Sequence, residues 1–266
     1  MKNFNLKKTI NLIGILSIAL ASLSGTIYLQ KQLLKAEEEN KTIARYKQQE
    51  QAEEVKINAL KNMPAFGFDN LLADWSWLQF LNYFGDGEAR GQTGYSLSPN
   101  YFESVVNHDP RFVRAYFLLA PATSIFAGEP EQTVKNISKG LKSITPDLSS
   151  EGYYLWVYKG IDEMTFLNDI EAAKESYKIA STWAEQSDHP NAENSAKNTK
   201  QTVQFLEDDP DSLIAQIGAW TMVLNSTNDT KTQNKALEKI EELGGEIIVS
   251  PNGNVKIHVP EEHRRS

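Results

Sequence analysis

The chain has 266 residues, of which 40% are hydrophobic and none is cysteine, so it is long enough to bury the core of one modest domain. Without cysteine it cannot form disulfides, thiolate nucleophiles, iron–sulfur clusters or cysteine-ligated zinc sites. Residues 63–266 hold 17 basic and 29 acidic side chains, a net charge of −12. Because phosphate binding requires a basic surface, this charge argues against nucleic acid as a partner and against a body lying flat on anionic lipid.

The N-terminal segment combines a basic start with a long uncharged stretch. Three lysines within the first eight residues precede the 22 uncharged residues 9–30. As a helix, that stretch is long enough to cross the roughly 30 Å hydrocarbon core of a bilayer. We predict that residues 1–30 form a signal anchor and transmembrane helix, with the body on the extracytoplasmic side, periplasmic or lumenal. A cleaved signal peptide is the alternative, because Ala19-Leu20-Ala21 is a small-x-small cleavage pattern, and a buried core helix is a third interpretation.

Residues 31–62 are rich in Lys, Glu, Gln and Ala and contain few apolar side chains. This composition favours a helix but provides only a weak face for burial. We predict a charged, solvated helical stalk over this range. A short coiled-coil dimer is the alternative, although a sustained heptad repeat is absent from the sequence.

The aromatic segment that follows, residues 66–85, has apolar side chains on all sides of a helix. That distribution predicts burial on several faces. We favour a central core helix over the alternative, an aromatic surface that faces a ligand or lipid. Asp74 lies within this helix, and a carboxylate buried there is expected to need a partner.

From residue 98 onward the pattern is that of short helices whose starts are marked by prolines. Ser98-Pro99 and Asp109-Pro110 each place an N-capping side chain before a proline at the first helical position. Apolar residues recur at helical spacing between these marks, most regularly in the series Leu213, Ile217, Trp220 and Leu224. We therefore predict an all-α body over residues 63–245, built from repeated antiparallel helix pairs. A break is expected at Pro121, because an unrelieved proline inside a helix costs about 3 kcal/mol.

The pattern changes after Gly244-Gly245. Residues 246–260 alternate β-branched and polar side chains around a Pro-Asn-Gly turn, which predicts a C-terminal β-hairpin. An isolated hairpin is only marginally stable, so it should pack on the last helix or pair with another chain. The tail, residues 261–266, is predicted to be disordered.

One stretch of the body resembles a known repeat family. Its first helix contains Trp156, Gly160 and Ile161, and its second contains Ala173, Tyr177 and Ala180. This order is similar to the tetratricopeptide pattern, in which small residues admit the neighbouring helix and an aromatic ring fills the gap. Gly160 and Ile161 stand in reversed order relative to that pattern. The resemblance implies a tetratricopeptide-like helical repeat.

A second resemblance covers roughly residues 66–245. Leu72-Ala73-Asp74-Trp75, followed by Asp109-Pro110-Arg111-Phe112 and Ala115-Tyr116, is similar to a group of bacterial single-pass, membrane-anchored tetratricopeptide-like proteins of undefined function. That group usually has glycines where Ala120-Pro121-Ala122 stands here. The resemblance implies the fold and the anchoring, and it implies no activity.

The sequence offers little for catalysis. No two of its four histidines lie at metal-ligand spacing, and the H-E-x-x-H, P-loop and G-x-S-x-G motifs are absent from it. We therefore predict that the chain is not an enzyme and has no catalytic residue, no metal and no cofactor.

The predicted function is that of a membrane-anchored, protein-binding scaffold that assists the assembly or maintenance of a membrane protein complex. Its partners would be subunits of that complex, and the sequence leaves its own oligomeric state open. The residues predicted to contact a partner are Asp74, Trp77, Arg111, Arg114 and Tyr116. The alternative for Arg111 is an ion pair with Asp74 or another acid that locks two helices.

Two other functions are open. The protein could be a fixed structural subunit of an envelope or photosynthetic-type membrane complex, with the stalk and the hairpin as docking elements. It could also be a carrier of a small molecule or lipid. A cavity of a few hundred Å³ lined by Trp75, Trp77 and Phe80 would favour the carrier, and solid packing would argue against it.

Overall fold

A computed structural model of the chain describes residues 2–38, 42–207, 213–249 and 255–258. The chain divides into two compact units, Met1–Gln49 and Glu50–Ser266.

The first unit contains helix α1, Lys2–Glu38, and the start of helix α2, Ile43–Lys61. The predicted boundary between the anchor and the stalk, at residue 30, falls inside α1, which continues through it. Across the described ranges, no helix combines the length and the apolar character that a membrane crossing requires.

The second unit is helical except at its C-terminal end. Its helices after α2 are α3 Asp69–Gly85, α4 Gly87–Thr93, α5 Ser98–His108, α6 Val113–Pro121, a π-helix Ala122–Phe126, α7 Pro130–Gly140, α8 Tyr153–Thr165, α9 Ile170–Glu185, α10 Ala192–Glu207, α11 Leu213–Ser226 and α12 Thr230–Glu242. In the part of the chain that the structure describes, the only sheet has two strands, β1 Glu246–Val249 and β2 Val255–His258. The predicted all-α class with a small C-terminal hairpin is therefore confirmed.

The second half of α2 is part of the body, which corrects the prediction of a solvated stalk over residues 31–62. Ile57 is buried in the main core. The hydroxyl of Tyr101 donates a hydrogen bond to the Glu53 carboxylate, and the Asn100 side-chain amide donates to Asn58 Oδ1 at 2.9 Å. The sequence signal was weak because polar side chains make much of this contact, and they do not contribute to an apolar stripe.

The main core of the second unit lies where α3, α5, α6 and α8 meet. Its largest members are aromatic or leucine side chains that are fully buried, namely Phe80, Tyr101, Phe102, Tyr116, Leu119 and Leu155. The rings of Phe102 and Tyr116 make an edge-to-face contact with their centroids 5.2 Å apart. Such contacts fix the mutual positions of α5 and α6.

Pro121 ends an α-helix without ending the helical path of the chain. The α-helical hydrogen-bond ladder of α6 stops there, and the π-helix Ala122–Phe126 follows directly. The amide of Ala127 donates to the carbonyl of Ala122, five residues earlier, at 3.1 Å. The predicted break thus takes the form of a change of helix type, which suits a residue that has no N–H to donate to the α-ladder.

The stretch that resembles a tetratricopeptide repeat forms helices α8 and α9, which pack closely on each other. A Cβ atom placed on Gly160 of α8 would lie 3.1 Å from Cε2 of Tyr177 on α9. Ala173, Tyr177 and Ala180 of α9 are buried. The small residue at position 160 therefore admits the aromatic ring of the neighbouring helix.

The hairpin pairs β1 and β2 in antiparallel fashion, with Ile247 opposite Ile257. Both isoleucines pack against a small core formed by α11 and α12, which includes Trp220 and Ile240. The predicted hairpin over residues 246–260 is therefore present, and its apolar side is covered by the last two helices. The predicted Pro-Asn-Gly turn and the predicted disordered tail lie outside the described residues.

Candidate partner-binding surface on helix α3

Helix α3 exposes a row of large apolar side chains to solvent. Leu71, Trp75 and Leu78 are 63%, 53% and 52% exposed, and they occupy positions i, i+4 and i+7. This spacing places them in one stripe along the helix. Asp74 lies in the same stripe, and Leu81 extends it toward the C-terminal end of the helix. We call these five residues the outer face of α3.

The opposite side of α3 anchors the helix in the core. Phe80 is 0% exposed, and Ala73, Ser76 and Tyr83 are buried beside it. The hydroxyls of Ser76 and Ser104 are hydrogen-bonded at 2.8 Å, which ties α3 to α5. The prediction that α3 is buried on several faces is wrong, because only this side is covered. The outer face therefore stands on a helix that the core holds in place.

The turn that leads into α3 adds to the apolar surface. Phe66 is 87% exposed and has a φ of +49°, and it is followed by Gly67 with a φ of +90°. A positive φ is unfavourable for a bulky residue such as phenylalanine, so the turn holds Phe66 in a strained conformation. Met63 and Phe68 are also exposed here. The apolar surface thus extends from the end of α2 to the C-terminal half of α3.

A pocket with a volume of about 470 Å³ adjoins the outer face. It lies between α2 and α3, and its lining is formed by Glu53, Lys56, Ile57, Ala59, Leu60, Met63, Trp75, Gln79 and Tyr101. The cavity considered from sequence had Trp75, Trp77 and Phe80 in its wall. Of these three residues, only Trp75 lines the pocket. Trp77 is half-buried and stacks on Phe80 with the ring centroids 5.6 Å apart.

Asp74 is exposed to solvent between Leu71 and Leu78 on the outer face. The expectation that it needs a partner within the molecule is wrong, because water solvates a carboxylate in this position. Among the residues that the structure describes, no basic side chain lies within 4.0 Å of it, and α3 itself contains no Lys or Arg. The ion pair between Asp74 and Arg111, which was the alternative for Arg111, is therefore absent from the described structure.

Arg111 and Arg114 do not belong to the outer face, although Arg111 lines a pocket together with Leu71, at the N-terminal end of that face. Arg111 is exposed and lines a second pocket, of about 670 Å³, beside the first residues of α3. Its backbone N–H donates to Asp109 Oδ1 at 2.9 Å. The Arg114 side chain is 80% exposed, and its Nε lies 3.4 Å from the Glu151 carboxylate. Such an exposed ion pair contributes little to stability.

Tyr116 is a core residue and does not line a groove, which corrects the sequence prediction for it. Its side chain is fully buried, and its hydroxyl donates to the Pro110 carbonyl at 2.8 Å. Burial raises the pKa of the Tyr116 hydroxyl far above its usual range. Of the five predicted contact residues, Asp74 alone lies on the outer face. Trp77 is half-buried and packs on Phe80 and Phe112.

The residues predicted to contact a protein partner did not include Leu71, Trp75 or Leu78, although an exposed aromatic surface was the alternative for this segment and Trp75 was named for the carrier. The signal was present, because these residues form a second apolar stripe on a helix whose other stripe already suffices for burial. An apolar pattern does not distinguish a stripe that packs inside the molecule from one that faces solvent. The structure makes that distinction through exposure.

A cluster of polar side chains is buried near the π-helix, and it offers no access to a substrate. Ser124 donates a hydrogen bond to Asp162, and the Ser124 and Thr133 hydroxyls lie 2.7 Å apart. Burial raises the pKa of Asp162 to about 7, although the bond from Ser124 acts in the opposite direction. Next to it, Glu163 accepts a hydrogen bond from Ser176 at 2.6 Å. These groups are all buried, so we assign the cluster to the core.

Within the described residues, no group of three or more His, Cys, Asp or Glu side chains is arranged to hold a metal ion. Comparisons of the chain with protein-family models, with curated proteins and with solved structures found no match.

Proposed function

We propose that the protein is a non-catalytic scaffold that binds an apolar helical segment of a partner protein on the outer face of α3. The observation that carries this proposal is the exposure of Leu71, Trp75 and Leu78 on a helix whose other side is fixed in the core. Exposed apolar surfaces of this kind are typical of interaction sites. A row at i, i+4 and i+7 suits a helical partner, whose side chains have the same spacing.

Covering the outer face would supply part of the free energy of binding. Full burial of a leucine-sized side chain contributes about 1.5–3 kcal/mol, so covering three half-exposed side chains would contribute on the order of 3 kcal/mol. Trp75 is at the centre of the row, and tryptophan is among the residues most often found to dominate binding energies. Contacts with Phe66 and Phe68 would add to this sum.

We propose further that residues 9–30 anchor the scaffold in a membrane, with the body on the extracytoplasmic side, where it assists the assembly or maintenance of a membrane protein complex. Support for the anchor comes from the 22 uncharged residues that follow the N-terminal lysines. Support for a tetratricopeptide-like repeat comes from the close packing of Gly160 on the Tyr177 ring. Proteins built from such repeats present side chains to partner segments.

A second candidate function is transport or retention of a small apolar ligand in the pocket between α2 and α3. The observation that favours it is the volume of about 470 Å³ together with a mainly apolar lining that includes Trp75. A pocket of this size is within the range that drug-sized ligands occupy.

The proposed function is tested by affinity purification of the tagged full chain from gently solubilised membranes of the cells that make it. The comparison is between wild type, Leu78→Ser and a matched control, Met222→Ser. Met222, on α11, is 53% exposed and Leu78 is 52% exposed, so both substitutions remove an equally accessible apolar side chain.

We expect the same co-purified proteins with wild type and with Met222→Ser, and at least a ten-fold lower yield of them with Leu78→Ser. A near-stoichiometric complex that persists in all three samples would identify a fixed structural subunit held by other surfaces. A chain that purifies alone in several detergents would contradict the scaffold. If a small apolar compound co-purified with wild type and not with Trp75→Ala, the result would support the carrier function.

A further inference from the structure

We infer that the partner of the outer face is a cationic apolar helix, in which a Lys or Arg lies within the apolar stripe and pairs with Asp74. This inference rests on the proposed function and adds the chemistry of the partner. It assigns to Asp74 the role of a specificity-determining residue. The apolar residues of the outer face supply most of the affinity, and Asp74 determines which apolar helices bind.

The position of Asp74 within the outer face is the first observation. It lies three residues after Leu71 and four residues before Leu78, so helical geometry places all three on one side of α3. Trp75 is its immediate neighbour and is 53% exposed. Any helix that covers Leu71, Trp75 and Leu78 must therefore also cover the Asp74 carboxylate.

The second observation is that, within the described part of the chain, no basic side chain forms an ion pair with Asp74. The three basic side chains nearest in sequence have other acidic partners. Lys61 is paired with Glu103 at 3.1 Å, and Arg90 is paired with Glu50 at 3.5 Å. Lys56, which lines the same pocket as Trp75, is paired with Glu53 at 3.5 Å. In the described residues, neither they nor Arg111 form an ion pair with Asp74. The Asp74 side chain is thus exposed to water in the free chain.

The consequence appears when a partner displaces that water. A carboxylate that is desolvated against a purely apolar helix loses its hydration without compensation, and against an acidic helix it also meets repulsion. A Lys or Arg placed opposite Asp74 removes the penalty by forming a charge-assisted hydrogen bond. Asp74 therefore weakens the binding of apolar or acidic helices and permits the binding of a helix that carries Lys or Arg opposite it.

The charge of the body favours the same partner. Residues 63–266 carry a net charge of −12, which attracts a cationic segment and raises its rate of association. Anionic lipid is repelled by the same charge, and a carboxylate in the middle of the apolar row is unfavourable for insertion into a bilayer. These charges favour a protein helix over a membrane surface as the occupant.

The test uses three synthetic helical peptides that have the same apolar stripe and carry Lys, Gln or Glu at the one position that faces Asp74. Their binding to the full chain in phosphatidylcholine nanodiscs is measured by fluorescence anisotropy, with empty nanodiscs as the blank. We expect the Lys peptide to bind about ten-fold more tightly than the Glu peptide. Asp74→Asn should remove this preference, and Asp74→Lys should reverse it. A reversal is a result that a purely structural role of Asp74 would not produce.

The outcomes separate the inference from the proposed function. Equal binding of the three peptides to wild type and to Asp74→Asn, with all binding lost in Leu78→Ser, would overturn the inference and leave the binding surface intact. Peptide binding that Leu78→Ser does not weaken would overturn both. Quenching of Trp75 fluorescence by brominated phosphatidylcholine, taken as the difference from Trp75→Phe, would place the face on lipid and would also overturn the inference.

Discussion

Helices α3 and α9 are of similar length, and they differ in what becomes of their apolar residues. In α9, Ala173, Tyr177, Ala180 and Ala184 form one stripe, and all four are buried against neighbouring helices. In α3, the stripe that contains Phe80 is buried, and the stripe that contains Trp75 and Leu78 faces solvent. In α9 the apolar stripe is buried within the fold, whereas α3 carries a second apolar stripe that the fold leaves exposed.

The polar residues of the two helices differ in the same way. The exposed side of α9 carries charged side chains, among them Glu171 and Lys178, which water solvates. The outer face of α3 carries one charge, Asp74, among four large apolar side chains. This apolar excess on a helix that is already anchored is the observation on which the proposed binding surface rests. Helix α9 therefore contributes only to the core, whereas α3 contributes to the core and also exposes an apolar surface.

The largest expected effect contrasts the two sides of α3. Phe80→Ala should lower the free energy of unfolding by about 3–5 kcal/mol, because it removes a fully buried ring from the main core. Trp75→Ala, on the outer face, should lower it by less than about 2 kcal/mol, because more than half of the Trp75 side chain is already exposed. Urea denaturation followed by circular dichroism measures both. A loss above 2 kcal/mol in Trp75→Ala would mean that the outer face is packed within the molecule.

The second effect concerns Asp162 of α8, whose carboxyl is buried and whose pKa is raised to about 7. Its pKa in the unfolded chain is near 4, so between these values the folded state binds the proton that the unfolded state releases. The contribution of Asp162 to the free energy of unfolding is therefore fully present below about pH 4. It decreases as the pH rises from 4 through 7, and it does not change further at higher pH. The expected loss is about 2–4 kcal/mol.

Asp162→Asn should remove this part of the pH dependence, because an amide does not ionise. Urea midpoints recorded from pH 4 to pH 8 give the slope for wild type and variant. Asp74→Asn is the control, since it removes a carboxylate that is exposed in the folded chain. An identical slope in wild type and Asp162→Asn would show that Asp162 is ionised in the fold throughout.

The third effect tests the close contact between α8 and α9. A Cβ on Gly160 would lie 3.1 Å from the Tyr177 ring, so a longer side chain has no room without displacement of α9. Gly160→Leu should lower the free energy of unfolding by about 1–3 kcal/mol, as overpacking does in other cores. Thermal unfolding measures the change. An unaltered or higher melting temperature would show that α8 and α9 pack loosely.

The smallest effect is a gain, at the end of α3. A Cβ on Gly85 would have no heavy atom within 4 Å, so alanine fits there without a clash. Gly85→Ala should raise the free energy of unfolding by about 0.5 kcal/mol, because glycine loses more backbone freedom on folding. The same thermal assay detects it. A loss would reveal that the backbone at residue 85 requires a conformation that alanine resists.

The amino-acid pattern was sufficient for the helical class, for the hairpin and for the small residue at 160. These features depend on local preferences and on spacing, such as the alternation of β-branched residues around Ile247 and Ile257. The side of α3 that is buried was not predictable, because Phe80 and Trp75 are equally apolar and only the tertiary contacts distinguish them. For the same reason Tyr116 was predicted to lie in a groove and is found in the core.

The end of α2 shows a different reason for failure. Residues 50–61 join the body through Ile57 and through hydrogen bonds of polar side chains such as Glu53 and Asn58. Polar contacts of this kind leave no periodic signal, because the same residue types also occur on solvated helices. A sequence of mixed charge was therefore interpreted as a solvated stalk.

The most direct test of the central claim is photo-crosslinking at the outer face of α3 in intact membranes. A benzophenone amino acid replaces Leu78 in one variant and Met222, equally exposed on α11, in another. A binding surface on α3 predicts one defined crosslinked protein with the probe at 78, and none of that product with the probe at 222. The same product from both positions, or no product from position 78, would contradict it.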